Sequence, residues 1–332
     1  MAYLGKTFWP VHLAVFYPFP TDIPVWQVIG ALLGIILITA VVMITARRMP
    51  YFLTGWFWYG ITIFPVIGIV QIGDFMMADR YHYLPSIGIG IMLAWGTPLL
   101  FPKEGKLKKA VFSTAILSLA VLAFLSWKQC GFWKDSTSLF NHALRVTENN
   151  YLAYNNVAVA LADKGRFQEA IEHYNNALRI RPNFFSFHIN RANAYAKLGQ
   201  YEQAIRDYNI AIRLKPDFIE AYYNRGCTYT ESGHYHLAID DFNKAIDLKP
   251  DHVNAHYNRG IVYGMLGQYH RAVENFSRAI SLDPGYALAY HSRGFAYLLQ
   301  GNDQAGCPDA QKACVLGNCQ LLEAAKSEGR CR

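Results

Sequence analysis

The sequence is poor in charged residues. Only 17% of its 332 residues are charged, whereas 52% are hydrophobic, and a soluble globular chain carries about 25% charged residues. This shortage points to membrane segments. Low-complexity runs are absent and aromatic residues make up 15% of the chain, which excludes a disordered protein. Six cysteines are too few to hold 332 residues together, so a small disulfide scaffold is excluded as well.

The second half of the chain lacks a surplus of positive charge. Residues 1–130 contain nine Lys or Arg against four Asp or Glu, and residues 131–332 contain 22 against 20. Nucleic-acid binding needs a cluster of basic side chains, so we expect no nucleic-acid partner. The sequence contains no HExxH, phosphate-loop, nucleophile-elbow or CxxC motif. It therefore predicts no metal site and no cofactor.

Four long uncharged stretches lie in the first part of the chain, at residues 25–46, 51–72, 84–101 and 110–127. The first has 22 residues, enough to cross the hydrocarbon core of a bilayer at about 1.5 Å per residue. A buried core helix is the alternative for any one of them. Four in succession, separated by short polar loops, predict a membrane domain with four spans over residues 1–130.

Basic residues predict the orientation of this domain, because Lys and Arg favour the cytoplasmic side of a membrane. Arg47 and Arg48 follow the first span, and the loop 102–109 holds four lysines. We therefore expect an integral protein of the cytoplasmic (inner) membrane with everything after Trp127 outside the cytoplasm. A chain that starts outside without a signal peptide suggests that further spans precede Met1.

The loop between the second and third predicted spans places ionisable residues next to the bilayer. Ionisable groups at that depth are candidates for function, and an arginine could bind a lipid phosphate through two parallel hydrogen bonds. The alternative is that Asp79 and Arg80 only pair with each other. The candidate residues of this lipid-phosphate or donor loop are Asp79, Arg80, His82 and Tyr83.

From Tyr151 onward the sequence repeats every 34 residues, which is the length of a tetratricopeptide unit. Glycine recurs at a turn position, alanine at two contact positions and proline near the end of each repeat, as a pair of closely packed helices requires. The chain therefore resembles the tetratricopeptide-repeat family, which implies an all-α solenoid. The predicted repeats are 151–184, 185–218, 219–252, 253–286 and a shorter 287–316, followed by a cysteine-containing cap at 317–332.

The repeat register extends backwards to Gly131, which lies 34 residues before Gly165. Residues 131–150 therefore resemble half of a degenerate repeat, with Ser136–Val146 as its second helix. The end of the fourth span would supply the first helix. We expect the membrane helix to continue directly into the repeats.

The sixth residue of each repeat is an amide, or a hydroxyl in the last repeat. A primary amide donates and accepts, so a row of amides can bond a peptide backbone whatever its side chains. The row resembles the asparagine ladder in the repeat domain of O-linked N-acetylglucosamine transferase. The alternative is that these amides bond only within their own helix pair. The expected groove residues are Asn156, Asn190, Asn224, Asn258 and Ser292.

The seventh position is arginine in four repeats, opposite an acid or amide sixteen residues later. We interpret these residues as pairs that join the two helices of a repeat, each contributing little because partly exposed ion pairs are weak. The pairs are Arg191 with Asp207, Arg225 with Asp241, Arg259 with Asn275, and Arg293 with Asp309.

Four of the six cysteines lie in the last 26 residues. Cys307 and Cys314 are seven residues apart on one predicted helix, about 10 Å, which is too far for a disulfide. Three connectivities exist for four cysteines, and we favour Cys314–Cys319 across a turn and Cys307–Cys331. Cys130 and Cys227 are expected to be buried thiols.

A wider family resemblance is carried by three segments, YLGKTFWPVHLAVFYPFP, ADRYHYLPSIG and WKDSTSLFNHAL, which precede the repeats in that order. They resemble the transmembrane and tetratricopeptide repeat-containing O-mannosyltransferase-like proteins of the type C glycosyltransferase superfamily. That resemblance implies sugar transfer from a polyprenyl-phosphate donor to Ser or Thr, with Asp79, Arg80 and Tyr83 near the donor. The family's catalytic acid would lie before Met1, so we expect no catalytic residue in this chain.

Two functions follow from these observations. The first is a membrane-anchored scaffold whose extracytoplasmic repeats bind extended polypeptide without catalysis by this chain. The second is part of a polyprenyl-phosphate-sugar-dependent protein O-glycosyltransferase.

Overall fold

The structure, a computed structural model, describes residues 24–63, 87–92 and 106–331. Every regular element within these ranges is a helix, which confirms the all-α prediction. The described residues form two compact units. The first runs to Gly165 and includes Arg179–Arg181, and the second contains Arg166–Leu178 and the chain from Pro182 onward.

Three helices of the first unit overlap the predicted spans 25–46, 51–72 and 110–127. They are α1 (Val25–Thr45), α2 (Pro50–Ile63) and α3 (Lys106–Cys130). Among the described residues, α1 is the one helix long and apolar enough to cross a membrane. Most of its large apolar side chains are exposed. Of the predicted span 84–101 only residues 87–92 are described, and they are helical.

Helix α2 packs through small and polar residues. The indole Nε1 of Trp56 donates to Thr39 Oγ1 on α1 at 3.0 Å. Gly55 lies against the backbone at Gly88 so closely that a Cβ on either glycine would overlap the other segment. Such close backbone approach is typical of helices packed inside membranes. The candidate loop residues Asp79, Arg80, His82 and Tyr83 lie outside the described residues.

The junction between α3 and the repeats has defined structure. A 3₁₀ turn, Gly131–Trp133, follows α3 directly, and α4 (Ser136–Val146) begins after it. The carboxylate of Asp135 accepts the Ser138 N–H at 2.9 Å and so caps α4,. The helix α4 has the bounds expected for the second helix of the degenerate half-repeat.

Pairs of helices make up the repeats, and the first and second helix of each pair are called A and B. Glycines between A and B have φ of +72° to +79° in the second to fifth repeats, a conformation that side chains disfavour. The bounds are α5 (Tyr151–Asp163), α6 (Phe167–Ile180), α7 (Phe185–Lys197), α8 (Tyr201–Leu214), α9 (Ile219–Glu231), α10 (Tyr235–Leu248), α11 (Val253–Met265), α12 (Tyr269–Leu282), α13 (Ala287–Leu299), α14 (Asp303–Val315) and α15 (Gln320–Ser327).

Side chains at the fourth position of three repeats hold the end of the preceding repeat, a contact that the sequence analysis missed. Each side chain reaches the carbonyl oxygen of the proline that follows the previous B helix. That oxygen would otherwise lack a partner at a helix end. The contacts are His188 Nε2 to Pro182 at 2.7 Å, Tyr222 OH to Pro216 at 3.1 Å and His256 Nε2 to Pro250 at 3.1 Å.

The predicted arginine pairs are confirmed, but their acid and amide members are buried, whereas the sequence analysis took the pairs to be partly exposed. Arg191 binds Asp207 through two contacts of 2.7 Å, and the carboxylate is only 5% exposed. Removing one partner of a buried pair leaves an uncompensated charge and costs about 3–5 kcal/mol. The same two-contact geometry joins Arg225 to Asp241 and Arg293 to Asp309.

The arginine at the seventh position of the second to fifth repeats also contacts the preceding repeat. The sequence analysis did not predict this contact. The Nη1 of each guanidinium donates to a side-chain oxygen on the previous B helix. One arginine therefore connects three helices from two repeats. The acceptors are Asn175 for Arg191, Asn209 for Arg225, Asn243 for Arg259 and Ser277 for Arg293.

His188 in the second repeat lowers the pKa of the buried Asp207 carboxylate. Burial alone would raise the pKa of Asp207, but hydrogen bonds from Arg191 and His188 outweigh burial and lower it. Burial prevails at Asp241 and raises its pKa despite Arg225. Ionised Asp207 therefore stabilises the fold at neutral pH, and this contribution is lost as the pH falls through its folded-state pKa.

The fourth repeat has an amide where its neighbours have a carboxylate. Arg259 Nε donates to Asn275 Oδ1 at 2.8 Å, and its Nη2 has no acceptor among the described residues. The Nδ1 of His256, a side chain only 6% exposed, is also unpaired there. In the second repeat the equivalent His188 Nδ1 lies 3.4 Å from Asp207.

The substitution Asn275→Asp is expected to raise the free energy of unfolding by about 1 kcal/mol. An aspartate turned as in the neighbouring repeats would accept a second, charge-assisted bond from Arg259. This gain is partly offset by burial of the new charge and by loss of the bond that Asn275 Nδ2 donates to the carbonyl oxygen of Arg271 at 2.8 Å,. Urea denaturation of the full chain in detergent, followed by helical circular dichroism, measures the change. The exposed Asn254→Asp is the matched control and should shift stability by less than about 0.5 kcal/mol. An equal change in the free energy of unfolding for Asn275→Asp and Asn254→Asp would contradict the expected second bond from Arg259.

The C-terminal segment forms a cap on the last repeat. Leu321 of α15 is buried in a cluster with Leu298 and Ala310. Arg330 donates to the carbonyl oxygen of Leu298 at 2.7 Å and pairs with Asp303. These contacts cover the apolar end of the repeat array, as a terminal cap must.

Both favoured disulfides are present in the structure, Cys307–Cys331 and Cys314–Cys319. The first joins α14 to the end of the chain, and the second closes the turn between α14 and α15. The expectation of two buried thiols is wrong for Cys130, which is exposed on the last turn of α3, whereas Cys227 is partly buried.

Peptide mapping without reduction is expected to recover Cys307 linked to Cys331 and Cys314 linked to Cys319. Cys130 should alkylate in the folded chain before Cys227 does, because it is exposed. In the chain-entropy model the 24-residue separation of the first disulfide corresponds to about 3 kcal/mol, so reduction should lower the unfolding midpoint of the cap. Recovery of all six cysteines as thiols would refute the pairing.

Candidate functional site

Four of the five expected groove residues lie in the second unit, one on the A helix of each repeat. Asn190, Asn224, Asn258 and Ser292 are on α7, α9, α11 and α13, and all are half-buried. Asn156 lies on α5 in the first unit. We call the surface formed by the sixth, ninth and thirteenth positions of α7, α9, α11 and α13 the A-helix groove.

Three of these side chains bond to the A helix of the preceding repeat, so the alternative of bonds confined to one helix pair is wrong for them. Asn224 Nδ2 lies 3.3 Å from Asn193 Oδ1. Ser292 Oγ lies 3.3 Å from Tyr257 OH. The row therefore connects neighbouring repeats and remains half-buried.

The amides are used to different extents. Asn258 Nδ2 donates to Tyr223 OH at 2.9 Å and contacts Cys227 Sγ at 3.4 Å, so both of its N–H bonds are engaged. Asn224 makes the one weak bond to Asn193, and its Oδ1 accepts no hydrogen bond from the described residues. Asn224 is therefore more available to a ligand than Asn258.

Asn193, at the ninth position of its repeat, is a candidate site residue that the sequence analysis missed. Its Oδ1 accepts from Tyr208 OH at 2.5 Å and from Asn224, while its Nδ2 has no acceptor among the described residues. It lies three residues after Asn190, and residues three apart share a helix face. That spacing is the signal that could have identified it.

Asn193 and Asn224 line a common pocket of about 280 Å³ between α7 and α9. The pocket thus contains one unpaired amide N–H group, from Asn193, and one unpaired amide oxygen, from Asn224. The remaining lining residues are Ala196, Lys197, Tyr208, Cys227, Thr228 and Glu231.

The ionisable side chains Cys227 and Tyr208 of this polar pocket stay protonated at neutral pH, so they are neutral hydrogen-bond donors and not nucleophiles. Burial raises the pKa of Cys227 to about 11, so its thiol stays protonated at neutral pH and is a poor nucleophile. Burial also raises the pKa of Tyr208. Lys197 and Glu231 add one charge of each sign to the lining. No group of three metal-ligating side chains occurs among the residues that the structure describes.

Family models match most of this region. A TPR repeat model matches residues 160–199, 192–233 and 226–267, and a tetratricopeptide repeat model matches residues 253–286. The range 253–286 has the bounds of the fourth predicted repeat. These are tetratricopeptide repeats.

Curated relatives of the tetratricopeptide region are protein O-mannosyl-transferases. Tmtc3 of Drosophila melanogaster is 31% identical over 116 residues, which is 34% of this chain and 12% of that protein. Human TMTC4 is 32% identical over 99 residues, 30% of this chain and 13% of that protein. Human TMTC3 is 32% identical over 102 residues, 30% of this chain and 11% of that protein. The match thus spans about an eighth of these relatives.

Solved structures similar to this chain include MamA, with 28% identity and a TM-score of 0.46 over 52% of this chain and 97% of that one. A tetratricopeptide repeat protein from Parabacteroides merdae has 28% identity and a TM-score of 0.49 over 54% of this chain and 71% of that one.

Proposed function

We propose that this chain is a membrane-anchored tetratricopeptide protein whose A-helix groove binds an extended segment of another polypeptide. The observation that carries the proposal is the unpaired N–H of Asn193 and the unpaired oxygen of Asn224 in one pocket. Together they complement the C=O and N–H groups that a peptide backbone presents, whatever its side chains. Each such bond contributes about 0.5–1.5 kcal/mol.

In this proposal the other residues of the row contribute to peptide binding to different extents. Asn190 lies one turn before Asn193 on α7 and extends the polar surface. Asn258 and Ser292 contribute mainly to the contact between repeats, since Asn258 donates to Tyr223 and Ser292 shares a hydrogen bond with Tyr257. Asn156 continues the pattern on α5 by its sequence position. Binding should therefore centre on the second and third repeats.

Replacing Asn193 or Asn224 with Ala is expected to weaken peptide binding by about threefold to tenfold each, because each variant loses one backbone bond. Fluorescence anisotropy with labelled, unstructured twelve-residue peptides and the full chain in detergent measures the affinity. Asn258→Ala is the matched control and should change affinity by less than about twofold.

Circular dichroism of the same three variants separates binding from folding. Asn258→Ala should lower thermal stability, because Tyr223 and Cys227 lose their common partner. Asn193→Ala should lower it as well, because the Tyr208 hydroxyl loses its acceptor. Asn224→Ala removes one bond of 3.3 Å and should leave thermal stability nearly unchanged. Equal affinity of the wild type and both groove variants would reject the backbone-binding role.

Membrane anchoring rests on the apolar exposure of α1 and on the uncharged segments 51–72, 84–101 and 110–127. We infer that these form four spans, that α3 leads directly into α4, and that the repeats lie outside the cytoplasm of an inner-membrane protein. The two disulfides support this side, because such bonds persist in oxidising compartments. The lysines of the loop 102–109 support it through their cytoplasmic preference.

Protease added to spheroplasts is expected to digest the tetratricopeptide region while the loop 102–109 stays protected. The same protease added to inverted vesicles should cut that loop and spare the repeats. An antibody tag after residue 332 and a second tag within the loop report the two products. The reverse pattern would place the repeats in the cytoplasm.

A second candidate function is a part in protein O-glycosylation with a polyprenyl-phosphate sugar donor. The similarity of the repeats to those of protein O-mannosyl-transferases favours it. In this proposal the groove would present acceptor protein, and the loop with Asp79, Arg80, His82 and Tyr83 would lie near the donor. Arg80 would bind the lipid phosphate.

A further inference from the structure

A second pocket lies in the A-helix groove, between the fourth and fifth repeats. It has a volume of about 400 Å³ and is formed by α11, α12 and α13. Ser292, the last member of the amide row, is part of its wall. The pocket therefore lies at the same kind of junction as the polar pocket, two repeats further along the chain.

The two pockets differ in chemistry at equivalent positions. The ninth and thirteenth positions around the polar pocket are Asn193, Lys197, Cys227 and Glu231. The same positions around the second pocket are Ile261, Met265, Phe295 and Leu299, and its eleven lining residues include no Lys, Arg, Asp or Glu.

Three apolar side chains of this second pocket are open to solvent. Met265 is 57% exposed, Phe295 50% and Leu299 49%. Exposed apolar groups around a concave site gain free energy when a ligand removes them from water. An uncharged apolar side chain would be complementary to this lining.

We propose that the second pocket binds one bulky apolar side chain, leucine or aromatic, of the same extended polypeptide that Asn193 and Asn224 hold. This inference rests on the proposed function. Neighbouring A helices contact each other directly, as the bond from Asn258 to Tyr223 shows, and packed helices lie about 8–10 Å apart. Two repeats then separate the pockets by roughly 20 Å, or about six residues of extended chain at about 3.3 Å each.

The size of the pocket favours a single side chain over a second copy of this protein. A stable protein interface uses about 20–30 residues on each side, whereas eleven residues line this pocket. Continuity with the amide row through Ser292 favours an occupant that already follows the groove. A second copy and a detergent or lipid chain are the other occupants that the experiment distinguishes.

The test uses the full chain in detergent and two labelled twelve-residue peptides of Ser, Thr and Gly. One carries a single Phe at its ninth residue and the other has Ala there. The Phe peptide is expected to bind about tenfold more tightly, because Phe becomes buried. Phe295→Ser should abolish that difference and leave the affinity for the Ala peptide unchanged. Leu237→Ser, at a residue 46% exposed on α10 and outside both pockets, is the matched control.

The outcomes separate this inference from the proposed function. Loss of the Phe preference in Phe295→Ser, with retained binding of the Ala peptide, supports the apolar pocket. Equal binding of both peptides to the wild type overturns the pocket inference, while a loss of Ala-peptide binding in Asn224→Ala still supports the groove. Binding of neither peptide overturns both.

Two further measurements test the other occupants. A dimer that light scattering detects in the wild type and not in Phe295→Ser would overturn the inference in favour of a second copy. A Phe preference that disappears when the detergent chain is lengthened would overturn it in favour of a lipid chain. Phe295→Leu should keep the preference, and an unchanged helical circular dichroism signal of Phe295→Ser excludes misfolding as the cause of its loss.

Discussion

Buried arginine contacts hold the successive repeats of this protein together. Arg225 binds the carboxylate of Asp241 on its own B helix and reaches Asn209 on the previous one. Because the guanidinium is planar and its five donors are rigidly arranged, these contacts restrict how three helices can move. The A helices, and with them the groove amides, depend on that restriction.

The amide row illustrates how one residue type serves two purposes. An amide that donates within the fold stabilises the contact between repeats, as Asn258 does with Tyr223. An amide group that reaches the surface without a partner in the fold remains available for recognition, as at the exposed Asn193. Asn193 and Asn224 belong to the second group in part. In the proposed function, the groove therefore binds its ligand through the amides whose hydrogen bonds within the protein are incomplete.

Much of the fold was predictable from the 34-residue period, because helix pairing depends on local spacing of Gly, Ala and Pro. The pairing of Arg191 with Asp207 was predictable too, since their types change together along the repeats. The burial of those pairs was not, and neither was the link from Arg191 to Asn175. Exposure and contacts between repeats depend on how helices from distant parts of the chain approach each other.

The sequence by itself determined the repeat register, the helix pairs and the surface on which the sixth positions lie, because these follow from the periodicity of one chain. Only the tertiary structure decided which amides form hydrogen bonds with the neighbouring repeat. It also placed Asn193 and Asn224 in one pocket and formed a second, apolar pocket beside Phe295. Those properties arise where adjacent repeats meet. Their geometry is set by packing between side chains more than thirty residues apart.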